Sequence, residues 1–158
     1  MVVEDKQERN ETARLVSRWI MMKRNTEVLI DGENMSYKKA NLIMKAASQG
    51  VLYEGRVYGR QKDKRTKGWT EKARKHGIED IRLYGGPQKN KVDNKIKKDA
   101  NRIIVNNKNV DVFVIATSDS DYIEVIENLR MHGKRVVVVG SKQASASLRQ
   151  SCNKFIEV

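Results

Sequence analysis

The sequence predicts an α/β domain of three layers, with helices on both faces of a mainly parallel central sheet of five to six strands. Three observations carry that expectation. Apolar runs and amphipathic segments alternate from Glu27 to the end of the chain. The run Asp111 to Ala116 is apolar at every position after its first, the pattern of a strand covered on both faces. The chain has 158 residues, a single proline and no internal repeat, which suits one domain with a substantial core.

Each element has its own signal. Residues 1–25 form a charged extension in which Leu15, Val16, Trp19 and Ile20 recur at helical spacing. They predict a short docking helix with a frayed start, and a surface on which a second copy could pack. The domain proper is expected over 26–158. Glu27 to Ile30 reads as the first buried strand, stopped by Asp31-Gly32-Glu33-Asn34. A helix carrying Ala40, Leu42, Ile43, Ala46 and Ala47 follows, and Gly50 ends it. Leu52 to Tyr58 is the second strand. Gln61 to Lys67 is a basic loop expected to be mobile. Trp69 to His76 is a helix closed by Gly77, and Ile78 to Tyr84 holds the third strand before the break at Gly85-Gly86-Pro87. Val92 to Asn106 is helical, Asp111 to Ala116 the fourth strand, and Asp121 to Met131 a helix closed by Gly133. Arg135 to Val139 is a buried strand, Ser145 to Ser151 a short helix and Phe155 to Val158 a last strand. The alternation implies right-handed crossovers.

Chemistry concentrates in carboxylates. In open α/β sheets ligands sit beyond the carboxyl ends of strands, at the switch point of the strand order. The first strand ends in Asp31 and the fourth in Thr117-Ser118-Asp119-Ser120-Asp121. In an extended segment Asp119 and Asp121 project to one side, and Asp31 joins them if the two strands are neighbours. Carboxylates that close repel unless one takes a proton or a cation intervenes, and hard oxygen ligands suit Mg²⁺ or Mn²⁺. Asp119 is also a good helix N-cap. On the helix from Val92, Asp93 and Asp99 both flank the stripe of Val92, Ile96, Ala100, Ile103 and Ile104. Six residues separate them, roughly 9 Å along a helix axis, so they do not share one ion symmetrically. Asp99 is expected to be the stronger ligand. Asn34 reads as a ligand to water, metal or phosphate, or as a cap. His76 and His132 precede helix-ending glycines, a favourable place for a cation. Cys152 reads as a small core residue.

The composition points to the partner. The formal net charge is +12, which favours a polyanion, with nucleic acid ahead of an anionic membrane surface. Between Arg56 and Lys75 nine basic residues face only Asp63 and Glu71. Arg60, Lys62, Lys64, Arg65 and Lys67 are expected to hold a phosphate backbone. Trp69 and Tyr58 are candidates to stack on unpaired bases, with core packing as the competing reading of both. With one cysteine no internal disulfide can form, which fits a reducing compartment. No apolar run approaches the ~18–20 residues of a membrane span, and the expected location is cytoplasmic.

In order and spacing the sequence resembles the NYN family, the PIN-like nuclease domains that include the LabA group. The resemblance rests on Asp31-Gly32-Glu33-Asn34; Val92-Asp93 with Asp99; Thr117-Ser118-Asp119-Ser120-Asp121-Tyr122; Gly133-Lys134-Arg135-Val136; and Ser147-Leu148 with Asn153 and Phe155. It spans about Glu27 to Val158. It implies a PIN-like (Rossmann-like) fold, a Mg²⁺/Mn²⁺ site and hydrolysis of RNA phosphodiesters. Asp31, Asp99, Asp119 and Asp121 match the family's acids, with Asp93 additional, and Asn34 and Ser118 fall beside them as substrate contacts. The chain departs from the family pattern at Lys91 (often Gly), Ser118 (often Gly), Tyr122 (often Phe) and Asn153 (often Asp).

The expected function is therefore a metal-dependent endoribonuclease acting on single-stranded RNA, with DNA as a further possible substrate. The competing expectation is a nucleic-acid-binding module whose acidic site is weak. A Toprim-type phosphotransfer site, which would use Glu33, ranks lower because it leaves Asp99 without a role.

Overall fold

The computed structural model of the chain describes residues 2–21, 24–48, 50–85 and 90–158. Helix α1 (Val2–Met21) comes first, longer than its apolar spacing predicts. The alternation follows: β1 (Asn25–Asp31), α2 (Ala40–Ala47), β2 (Val51–Arg60), α3 (Trp69–His76), β3 (Glu79–Leu83), α4 (Lys91–Asn106), β4 (Val112–Ala116), α5 (Ile123–Met131), β5 (Arg135–Gly140), α6 (Ala146–Ser151) and β6 (Lys154–Glu157). None of the described helices is long and apolar enough to cross a membrane.

Six strands pair in parallel in the order β3-β2-β1-β4-β5-β6. The chain winds outward from β1 in one direction and from β4 in the other, so the order reverses between them. A crevice opens there, at the carboxyl ends of β1 and β4. Their register runs from Thr26↔Val112 to Ile30↔Ala116. Asp31 thus leaves the sheet level with the start of the Thr117–Asp121 segment, as the sequence required.

Two apolar clusters cover the sheet. Helices α2 and α3 pack on Val28, Ile30, Val57, Val114 and Val139. Helices α4, α5 and α6 pack on Leu29, Tyr58, Phe113, Ile115 and Val138. Side chains alternate along a strand, so Glu27, Leu29 and Asp31 share the α4 face. At the crevice, loops from both halves of the sheet meet.

The basic loop after β2 is more ordered than its sequence suggests. Asp63 caps a 3₁₀ turn over Lys64–Thr66 by accepting from Arg65 N. Thr66 is buried, and its hydroxyl donates to the Arg60 and Asp63 carbonyls. The arginine fork of Arg65 on Asp63 holds that carboxyl down at about 2, burial opposing. In the break after β3, Gly85 has φ +102, a conformation glycine favours. Gly86 and Pro87 lie outside the described residues.

Candidate metal centre

The crevice is built from loops tied to one another by hydrogen bonds. Gly32 N donates to the Tyr58 carbonyl at 2.9 Å, and a Cβ on Gly32 would stand 2.7 Å from that oxygen. Only glycine lets β1 end this close to β2. Asp31 then folds back on its own turn: one carboxylate oxygen accepts from Glu33 N and Asn34 N, both at 3.2 Å. Asn34 reaches across to the other half of the sheet, its Oδ1 accepting from Ser118 N at 2.7 Å. Ser118 Oγ in turn accepts from Ser141 N. Asn34 and Ser118, expected as substrate contacts, tie the loops after β1, β4 and β5 together.

Asp93, Asp119 and Asp121 each offer a carboxylate oxygen within 4.8 Å of the others. They come from the first turn of α4 and from the loop after β4. Asp119 caps the 3₁₀ turn Ser120–Tyr122 by accepting from Asp121 N at 2.9 Å. Asp31 is joined to the group by Tyr122, whose hydroxyl lies 3.0 Å from Asp31 Oδ2 and 3.0 Å from Asp93 Oδ1. A phenol has one proton to donate, and it cannot satisfy two carboxylates at once. Burial pushes Asp31 up to about 6, against the Tyr122 hydrogen bond and with the help of Asp93. Burial also raises Asp93, with Asp119 and Asp121 adding to the effect. Tyr122 itself is raised, by burial and then by the two carboxylates.

Asp99 does not join this group. It is 2% exposed and fully engaged elsewhere: Tyr58 Oη donates to it at 2.8 Å, Lys95 Nζ at 2.9 Å, and Arg102 lies 3.5 Å away. The expected ranking of the two α4 acids is thereby reversed. Both border the apolar stripe, but Asp93 is on the turn that reaches the crevice and Asp99 is on a turn that lies over the middle of β2. There it neighbours a buried pair that the sequence did not single out, Glu27 and Arg56. Burial raises Glu27 to about 7, against the attraction of Arg56, and the charges of Glu54, Asp99 and Glu79 add to the rise.

Two residues of the basic stretch, Arg60 and Arg65, reach the acids. A cleft of about 360 Å³ is lined by Asp31, Glu33, Asn34, Arg60, Arg65, Asn90, Lys91, Val92, Asp93 and Asp119. Glu33 holds the basic rim in place, accepting from Arg60 N and Nε and lying 3.7 Å from Arg65. Lys62 lines a neighbouring groove. Lys64 and Lys67 are exposed and line neither. Trp69 corrects an expectation: it is 0% exposed, with Nε1 donating to the Met35 carbonyl, and offers no face to a base. Tyr58 is buried as well and is spent on Asp99. Of the residues in the site, Glu33 and Tyr122 drew least notice in the sequence. Their signal was position alone, one in the turn after β1 and the other next to Asp121.

The donor set fits a hard divalent cation. It is all carboxylate oxygen and it converges, and burial and mutual repulsion raise Asp93 in the absence of a cation. A family model described as NYN domain matches residues 25–158. No curated protein matches the chain.

Proposed function

The chain belongs to the NYN domain family, and from that premise we propose that it is a Mg²⁺- or Mn²⁺-dependent endoribonuclease that cuts single-stranded RNA. NYN domains are generally nucleases, so a nucleic-acid substrate follows from membership. The observation that carries the finer reading is the convergence of Asp93, Asp119 and Asp121, two of which line, with Asp31, a cleft that Arg60 and Arg65 also line.

In this reading Asp93, Asp119 and Asp121 hold the cation, and Asp31 completes the set from across Tyr122. The bound cation supplies acidification of a water and stabilisation of charge on the phosphate. The chain's own residues do the positioning. Arg60 and Arg65 receive the phosphate backbone through guanidinium N–H groups that Glu33 and Asp63 do not occupy. Glu33 aims them. Tyr122 fixes the Asp31 and Asp93 carboxylates relative to one another. The Asn34–Ser118 bridge keeps the two acid-bearing loops at a constant separation, which matters because small misplacements of reacting groups are costly. Asp99 supports α4 on the sheet and acts on the site only through the placement of Asp93.

Incubation of labelled single-stranded RNA with Mn²⁺ tests the proposal. Internal cleavage is expected, abolished by EDTA and lowered at least about 100-fold in Asp119→Asn, in keeping with the loss of a charged group at a reacting centre. Salt-sensitive binding with no metal-dependent cleavage would instead identify a nucleic-acid-binding module.

A further inference from the structure

Beside the acidic cleft lies a second groove of about 510 Å³, lined by Arg60, Gln61, Lys62, Asp63, Leu83, Tyr84 and Gly85. Arg60 lines both, so the two adjoin at that side chain. The groove joins an apolar and aromatic wall, Leu83 and Tyr84 at the end of β3, to a basic and amide rim, Arg60, Gln61 and Lys62 at the end of β2. Strand pairing fixes the two sides against each other: Arg60 pairs with Leu83, and Gln61 N donates to the Leu83 carbonyl at 3.1 Å.

Tyr84 is 70% exposed, while Tyr58, Trp69, Tyr122 and Phe113 are fully buried. It does not serve the core. Its backbone is nonetheless held, because Lys91 from the start of α4 donates to its carbonyl. An exposed ring on a fixed strand end, next to guanidinium and ammonium groups, is the combination that binds unpaired bases by stacking while the cations take the phosphates. A duplex keeps its base faces inside the stack and cannot offer one to the ring.

We propose that Tyr84 is the stacking platform for an unpaired base of the nucleotide flanking the phosphate held over the acids, with Arg60 and Lys62 on that nucleotide's phosphates. The inference rests on the nuclease reading and deepens it, since it makes the site selective for single strands through a residue outside the acid cluster. It also moves the aromatic contact from Trp69 and Tyr58, which are buried, to an exposed residue of the adjoining groove.

The test uses the full chain and a short RNA carrying 2-aminopurine, as a single strand and as a duplex, with binding read in EDTA and cleavage read in Mn²⁺. Tyr84→Ala should weaken single-strand binding about tenfold, equivalent to about 1.4 kcal/mol. It should also remove the stacking quench of 2-aminopurine and leave duplex binding and the thermal midpoint unchanged. Tyr84→Phe should restore both the affinity and the quench. If Tyr84→Ala binds, quenches and cleaves as the wild type does, the platform is wrong and the nuclease reading stands. A wild-type chain that neither binds nor cleaves the single strand overturns both.

Discussion

At Tyr122 one hydroxyl oxygen stands 3.0 Å from an oxygen of each of two carboxylates, Asp31 and Asp93. Its single proton, donated to one carboxylate at a time, opposes the rise that burial and mutual repulsion impose on both. Tyr122→Phe removes the hydrogen bond and keeps the ring in its place, so the Asp31 carboxyl should rise further above about 6. A group that must be ionised to act is then lost at higher pH. The acid limb of Mn²⁺ binding should shift upward in Tyr122→Phe, read from the pH dependence of the affinity, because proton and cation compete for Asp31. An unmoved acid limb would show that the phenol has no hold on the site. The residue scale also explains what could be read from sequence. Asp31, Asp119 and Asp121 were legible because strand ends and an i, i+2 spacing are local features. The choice between Asp93 and Asp99 was not, because both flank one apolar stripe, and the partner that claims Asp99 is Tyr58, forty-one positions away on β2.

Element β1 carries two buried acids on one face, Glu27 and Asp31, separated by Leu29. Asp31 sits at the open end. Glu27 sits inside, where Arg56 offsets only part of its desolvation and its carboxyl is raised to about 7. The folded chain therefore holds a proton that the unfolded chain, with an ordinary value of 4.5, releases. The stability from that proton is fully present below about 4.5 and is lost as pH rises through about 7. Urea unfolding between pH 4.5 and 7.5 should show this fall in the wild type and a flatter profile in Glu27→Gln. Equal slopes in the two chains would remove Glu27 as the cause. Helix α3 gives the same lesson as α4. Trp69 stands in a basic stretch and reads as a base-stacking aromatic, yet it opens an amphipathic helix with Ala73, and its N–H meets the Met35 carbonyl. A backbone carbonyl in a distant loop leaves no mark in a sequence.

Over the whole molecule, the parallel α/β fold was legible because apolar runs alternated with amphipathic helices, and membership in the NYN family agrees with it, whereas the order of the strands was not. The placement of charge was half legible. Nine basic residues between Arg56 and Lys75 announced a basic region. The folded chain gives them different surroundings. Arg56 is committed to Glu27 and Glu54, and Arg60 and Arg65 rim the cleft. Lys62 lines the adjoining groove, and Lys64 and Lys67 stand in solvent. Each phosphate neutralised on a single strand contributes about −0.7 to the slope of log K against log salt. Arg65→Ala should therefore bind single-stranded RNA more weakly with a slope shallower by about 0.7, measured by fluorescence anisotropy over a salt series in EDTA. A full slope in Arg65→Ala would place the phosphates elsewhere.

The central claim is that Asp93, Asp119 and Asp121, with Asp31, form one cation site and that Asp99 stands outside it. Titration of Mn²⁺ into the wild type, Asp93→Asn and Asp99→Asn, followed by calorimetry, tests it most directly. The account predicts one site in the wild type, binding weakened at least about tenfold in Asp93→Asn, and near-wild-type affinity in Asp99→Asn, whose loss should be in stability, about 1–3 kcal/mol for a disrupted buried hydrogen bond. Binding abolished in a folded Asp99→Asn and retained in Asp93→Asn would contradict it.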